Sequence, residues 1–297
     1  MEDVLAPKTS VIGFIGLGVM GGSMAKHILD AGYELHIYNR TREKGKDLVE
    51  QGAIWEEKVA DLARKCNGVI TMVGFPRDVE EIYFGSQGLI ENTKHGTFLV
   101  DMTTSSPSLA LRIYEAAERK QLHALDAPVS GGDKGAREGS LSIMVGGKED
   151  TFKAVLPLFQ VMGKNIVYQG RAGSGQHTKM ANQIAIASNM IGVCEAISYA
   201  LKAGLDPEKV LASISQGAAG SWSLSNLAPR MIAGNFDPGF YIKHFIKDMK
   251  IALEAADGMS LDTPGLEMAL SMYKKLASLG HENDGTQALF RLYSDKE

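Results

Sequence analysis

From residue 11 to about residue 170, short apolar runs alternate with segments whose apolar positions recur at every third or fourth residue. The runs predict strands at 11–15, 34–38, 68–73, 97–101, 122–126, 141–145 and 165–168. The periodic segments predict helices at 21–31, 42–51, 57–65, 78–84, 106–119 and 149–160. Strands separated by helices imply a mostly parallel sheet covered on both faces. In such sheets ligands bind at the carboxyl ends of the strands.

Past Gly175 the pattern changes. Residues 176–203 keep helical periodicity for about seven turns, with no proline and with glycine only at Gly192. Asp206 then offers an N-cap and Pro207 a first helical position. Further helices are predicted at 207–216, 223–233, 243–257, 264–279 and 285–293, and no strand beyond 170. The expectation is an α/β domain over residues 1–172 and an all-helical domain over 173–297, joined by one long helix. The longest apolar stretch, Ile184–Leu201, carries Asn189, Glu195 and Ser198, which suits a helix packed in protein better than a bilayer span.

One loop in this pattern carries chemistry. Gly16-Leu17-Gly18-Val19-Met20-Gly21 directly follows the first apolar run and opens the first helix. In a strand-turn-helix context, Gly16 permits a tight turn, Gly18 lets a pyrophosphate approach the backbone, and Gly21 lets the helix pack closely. The helix N-terminus adds unpaired N–H groups and a positive dipole end. A glycine-rich turn without a ligand is the plainer alternative.

Composition narrows the picture. The 297 residues are 44% hydrophobic and 22% charged, ordinary for a globular protein, with a net charge of −4. That charge offers no electrostatic reason for nucleic acid or an anionic membrane as partner. The first residues are acidic and lack an apolar core, so neither a signal peptide nor a transit peptide is expected, and the cytoplasm is the expected location. Cys66 and Cys194 are too few and too separated for a disulfide framework or a zinc site, and no metal is expected.

The second predicted strand ends in Asn39-Arg40-Thr41. A site for NAD usually presents an acid here to the ribose hydroxyls. Asn39 removes the repulsion that an acid would exert on a 2′-phosphate. Arg40 supplies a guanidinium suited to that phosphate and Thr41 a hydroxyl. NADP (as NADPH) is therefore the expected cofactor, with NAD a weaker alternative.

Four blocks in order resemble the β-hydroxyacid dehydrogenases: Gly13-Phe-Ile-Gly-Leu-Gly-Val-Met-Gly21, Asp126-Ala-Pro-Val-Ser-Gly-Gly132, Gly173-Ser-Gly-Gln-His-Thr-Lys179 and Lys247-Asp248. The resemblance covers essentially the whole chain. It implies a doubly wound Rossmann domain, a helical C-terminal domain, an active site in the cleft between them, and a homodimer or homotetramer formed largely through the helical part. By position it implies a cofactor-contacting threonine at Thr104, a lysine over the nicotinamide at Lys247, and the catalytic lysine at Lys179.

Physical reasoning supports such a lysine. Hydride transfer to a carbonyl develops negative charge on oxygen, which a nearby ammonium stabilises and protonates. In the oxidative direction the neutral amine accepts the alcohol proton. Many members of the family carry asparagine four residues after this lysine. Here that position is Gln183, with Asn182 one residue earlier, and either amide shares a helix face with Lys179. Ser130, Gly131 and Gly132 resemble a substrate-carboxylate cradle of one hydroxyl and close-approaching N–H groups. Trp222, Phe240 and His244 are further candidates for a pocket wall. The expected activity is hydride exchange between NADP(H) and a small β-hydroxy acid or semialdehyde acid. The alternatives are an imine reductase-like NADPH enzyme and a non-catalytic nucleotide-binding module.

Overall fold

The structure, a computed structural model, describes residues 4–294. The chain packs as two compact units, Met1–Lys179 and Met180–Glu297. The division falls within the helix Ser174–Lys202.

The first unit alternates strands and helices: β1 (Val11–Ile15), α1 (Val19–Asp30), β2 (Glu34–Tyr38), a 3-10 turn (Arg42–Gly45) running into α2 (Lys46–Glu50), β3 (Ile54–Trp55), α3 (Val59–Lys65) and β4 (Gly68–Thr71). Next come α4 (Pro76–Phe84), α5 (Leu89–Asn92), β5 (Phe98–Asp101), α6 (Pro107–Arg119), β6 (His123–Asp126), β7 (Val129–Ser130), α7 (Gly132–Arg137), β8 (Leu141–Gly147), α8 (Glu149–Gln160) and β9 (Gly163–Gly170). The sheet order is β3-β2-β1-β4-β5-β6-β8-β7, with β9 also pairing β8. The six strands from β3 to β6 are parallel, β8 runs antiparallel to β6 and β7, and β9 is parallel to β8. This is the doubly wound α/β arrangement expected.

Alternation along β1 explains the two layers of core. Ile12 and Phe14 pack with Met24, Ile28, Val155 and Phe159 of α1 and α8. Ile15 packs on the opposite face with Leu62, Val79 and Ile113 of α3, α4 and α6. Strands buried on both faces carry apolar residues almost continuously, which is why they were readable as runs. β3, β7, α5 and α7 were not anticipated, since two to six residues show too little periodicity.

The second unit is helical: the remainder of α9 (Ser174–Lys202), α10 (Pro207–Ile214), α11 (Trp222–Asn226), α12 (Ala228–Ile232), α13 (Ile242–Asp257), α14 (Pro264–Leu276) and α15 (Arg291–Ser294). The Asp206 side chain accepts from Glu208 N–H at 2.9 Å, with Pro207 at the first helical position as expected. The predicted helix 223–233 is broken into α11 and α12, with Pro229 in the first turn of the second, where its missing N–H is tolerated. α14 ends short of the expected 279 and closes in a π-turn, Ala277–His281, where Gly280 takes φ 92°. The core of this unit gathers around Phe245 and Tyr273, whose rings meet edge-on at 5.1 Å. Among the described residues α9 is the one helix long and apolar enough to cross a membrane, and its Ala187, Met190, Cys194 and Ile197 are packed into that core.

Candidate active site

The glycine turn has the geometry a dinucleotide needs. Gly16 takes φ 101°, and a Cβ there would stand 2.2 Å from Met72 O. A Cβ on Gly21 would stand 1.9 Å from Gly16 O, so only glycine allows α1 to start against the turn. By contrast, a Cβ on Gly18 or Gly22 would meet nothing within 4 Å. The turn is thus tight on its protein side and open on the other, as a pyrophosphate at a helix N-terminus requires.

At the end of β2 the Asn39 amide is committed to the backbone. Its Oδ1 accepts from Leu17 N–H at 3.0 Å and its Nδ2 donates to Thr41 O at 2.9 Å, bracing the glycine turn against the second loop. Arg40 projects into solvent with its side chain 76% exposed, paired with Asp78 Oδ1 of α4 at 3.3 Å. Thr41 is exposed beside it. Arg42, in contrast, is ion-paired with Glu57 and stacked over Trp55.

Two buried aspartates end neighbouring strands, Asp101 on β5 opposite Asp126 on β6. Asp101 Oδ1 accepts from Thr71 Oγ1 at 2.8 Å and from Thr103 N–H at 3.1 Å. Burial pushes its carboxyl up to about 6, against the pull of these donors. Thr103 Oγ1 in turn accepts from Val73 N–H at 3.0 Å, tying the loops after β4 and β5 together. Asp126 accepts from Gly173 N–H at 2.7 Å through Oδ1 and from Gln176 N–H at 2.8 Å through Oδ2. It therefore clamps the first turn of α9. Burial raises its pKa too, and the backbone donors oppose the rise.

From that turn the Gln176 side chain reaches the loop after β5. Its Oε1 accepts from Ser105 N–H at 3.0 Å and its Nε2 donates to Thr103 O at 2.8 Å, so it grips the loop on both sides of half-buried Thr104. The Ser105 hydroxyl beside it is buried and has no hydrogen-bond partner. Lys179 follows Gln176 by three positions and is only 6% exposed. Buried lysines are rare without a task. Open space at Gly18, an orphaned hydroxyl beside Thr104 and a buried lysine on the adjoining helix face are compatible with a bound nicotinamide nucleotide.

Ser130 ends β7, and Gly131 and Gly132 follow with φ of 129° and 61°, a conformation that only glycine adopts without strain. A Cβ on Gly131 would point toward Leu141 Cδ2, 3.3 Å away, and not into open space. An alanine there would be costly through the backbone rather than by blocking an incoming carboxylate.

In the second unit the two candidate amides are joined in one hydrogen-bonded chain. Asn182 Nδ2 donates to Gln183 Oε1 at 2.7 Å, and Gln183 Nε2 donates to Asp248 Oδ2 at 2.6 Å. Asp248 also pairs with Lys247 at 3.0 Å. Gln183, fully buried, is the middle of this chain, whereas Asn182 is partly exposed at its end. His244, one turn before Lys247 on α13, has its pKa lowered by burial and by the Lys247 charge. Phe240 packs on Phe245 at 5.8 Å, while Trp222 is 62% exposed. The residues that sequence reasoning missed are Asp101, Asp126, Gln176 and Asp248. Their signal was positional: two aspartates ending successive strands, and polar residues adjoining or one turn from the two lysines.

Two family models cover the chain. The NAD-binding domain of 6-phosphogluconate dehydrogenase matches residues 11–170. The NAD-binding domain of NADP-dependent 3-hydroxyisobutyrate dehydrogenase matches residues 173–293. An oxidoreductase of Bacillus subtilis, YkwC, is 63% identical over 95% of this chain and 98% of its own. The 2-hydroxy-3-oxopropionate reductase of Escherichia coli is 39% identical over 91% of this chain and 92% of its own. Among solved structures, 3-hydroxyisobutyrate dehydrogenase of Mycobacterium tuberculosis with L-serine superposes with a TM-score of 0.88 at 27% identity, covering 95% of this chain and 98% of that one. The chain belongs to the β-hydroxyacid dehydrogenase family and is a nicotinamide-dependent oxidoreductase of that family.

Proposed function

We propose that this enzyme prefers NADPH and reduces short semialdehyde or keto acids, running in reverse as a β-hydroxyacid dehydrogenase, with Lys179 as the general acid and base. The observation that carries this reading is the burial of Lys179 on the helix turn that Gln176 ties to the Thr103–Ser105 loop. That loop continues β5 at the carboxyl end of the sheet, where dinucleotides bind in such folds. When bound, the reduced nicotinamide supplies the hydride. The Lys179 ammonium stabilises the charge developing on the carbonyl oxygen and gives up its proton as the alcohol forms. Ser130 and the N–H groups released by Gly131 and Gly132 hold the carboxylate that marks the substrate class. Arg40 and Thr41 take the 2′-phosphate, and Asn39 holds their loop against the glycine turn. Lys247, with its charge balanced by Asp248, serves the nicotinamide nucleotide, and Asn182, the partly exposed amide, faces the substrate with Gln183 bracing it from behind. A scaffold without catalysis has no use for a buried lysine, and imine reductases usually lack one at this position.

Lys179→Ala should lower kcat by roughly 10² to 10⁴, the usual scale for a lost general acid, with the Kd for NADPH unchanged. Lys179→Arg should not restore it, because guanidinium does not deprotonate. Wild-type turnover by Lys179→Ala would refute the assignment. We also propose a homodimer or homotetramer, supported by large apolar side chains left exposed on the second unit, among them Tyr199, Met268 and Leu279. Sedimentation of a single monomeric species would exclude it.

A further inference from the structure

The geometry points to Gln176 as a positioning residue that sets the register between Lys179 and the loop carrying Thr104, with the Asp126 carboxylate holding the turn it acts from. The inference rests on the reading of Lys179 as general acid, and concerns how the chain aims that lysine.

Three features converge on it. Gln176 spends both ends of its amide on one loop, accepting from Ser105 N–H and donating to Thr103 O, the two residues that flank Thr104. It lies three positions before Lys179, on the same helix face and about 4.5 Å away along the axis at the usual rise. Its own N–H is held by Asp126 Oδ2, while Asp126 Oδ1 holds Gly173 N–H, so the first turn of α9 is gripped at both of its ends. The helix start therefore cannot slide or rotate without breaking charge-assisted bonds in a buried place.

The surroundings are built to admit this clamp. A Cβ on Gly146 would stand 2.5 Å from Asp126 Oδ1 and 2.8 Å from Gly175 N. A Cβ on Gly175 would stand 2.4 Å from Met144 O and 2.9 Å from Asp126 Oδ2. Two glycines thus clear the space in which strand, carboxylate and helix start meet. A cap serving α9 alone would need only Asp126. The Gln176 side chain adds nothing to the helix and everything to the loop, whose far side Thr103 ties in turn to Val73. Lysine and loop are one rigid construction in this unit, as a proton donor poised over a fixed nicotinamide site requires.

The test compares Gln176→Met, of similar length but with neither bond, in the wild-type and Lys179→Ala backgrounds. Single-turnover reduction of succinic semialdehyde is followed with enzyme in excess over NADPH, and NADPH fluorescence titration gives the fraction of protein able to bind cofactor. Gln176→Met should slow the single turnover 10- to 100-fold in the wild-type background while the Kd for NADPH moves less than threefold. In the Lys179→Ala background the same change should cost less than twofold, because a residue acting through the lysine has nothing left to position. An equal loss in both backgrounds, or no loss in the wild type, overturns the inference while leaving the role of Lys179 standing. Normal turnover by Lys179→Ala alone would instead remove the general-acid reading. Asp126→Asn, which leaves an NH₂ facing one of the two backbone donors, should repeat the pattern and covers the case in which Gln176→Met does not fold. If neither variant binds NADPH, the two residues hold the fold rather than aim the lysine, and the inference falls.

Discussion

Replacing Asp101 by asparagine isolates the cost of keeping a carboxylate inside the sheet. Asp101 is buried, and its pKa rises from 3.8 to about 6 chiefly through desolvation. Because the folded-state value lies above the unfolded one, the group's contribution is most favourable below the unfolded pKa and is lost as the pH rises through the folded one. About two units at about 1.4 kcal/mol per unit makes the ionised form cost about 3 kcal/mol at neutral pH. Most of that loss, about 2 to 3 kcal/mol, falls between pH 4 and pH 7. Asparagine keeps the two bonds that end on Oδ1, from Thr71 Oγ1 and Thr103 N–H, and cannot ionise. The stability of Asp101→Asn relative to the parent should therefore improve by about 2 to 3 kcal/mol from pH 4 to pH 7, and taking the difference cancels every group the two proteins share. The chain has two tryptophans, and in a Trp222→Phe background Trp55 reports the first unit alone. Urea unfolding followed by its fluorescence at several pH values gives the required curve. A difference that stays flat within about 0.5 kcal/mol over that range would mean that Asp101 is solvated or already neutral, and the desolvation argument would be wrong.

Arg40→Ala should weaken NADPH by about 2 to 3 kcal/mol, the scale of a charge-assisted bond to phosphate, and leave NADH nearly unchanged; steady-state KM for both cofactors checks it, and equal losses would assign Arg40 to the shared part of the nucleotide. Succinic semialdehyde should exceed an uncharged aldehyde of equal length by at least about 100-fold in kcat/KM, the scale of a lost charged anchor, and parity would reduce the Ser130-Gly131-Gly132 segment to a plain turn. Gly21→Ala should cost about 3 kcal/mol of stability and most of the NADPH affinity, because its Cβ would meet the Gly16 carbonyl; thermal melts with and without NADPH would expose the error if the two proteins behaved alike.

By itself the sequence determined whatever depends on local repetition or on residue type at a turn. Apolar runs gave β1, β2, β4, β5, β6 and β8 because strands covered on both faces need apolar residues throughout. The glycine turn was legible because its glycines stand together between an apolar run and a helix, and Asp206-Pro207 because a cap is written in adjacent residues. The family blocks marked Lys179 and Lys247 by position. Tertiary structure decided what depends on residues far apart in the chain. β3 and β7, each a pair of residues, exist only because a neighbouring strand offers them hydrogen bonds. Asn39, marked in the sequence by its place after the second strand, also braces Leu17, a contact across 22 positions. Asp126 reaches the start of α9 across 47 and 50 positions, and Gln176 reaches the loop around Thr104 across 71 and 73. No periodicity records such pairings, since a carboxylate or an amide is satisfied by whatever backbone the fold brings to it. The candidate reacting groups were thus local information, and the contacts that hold them in place were not.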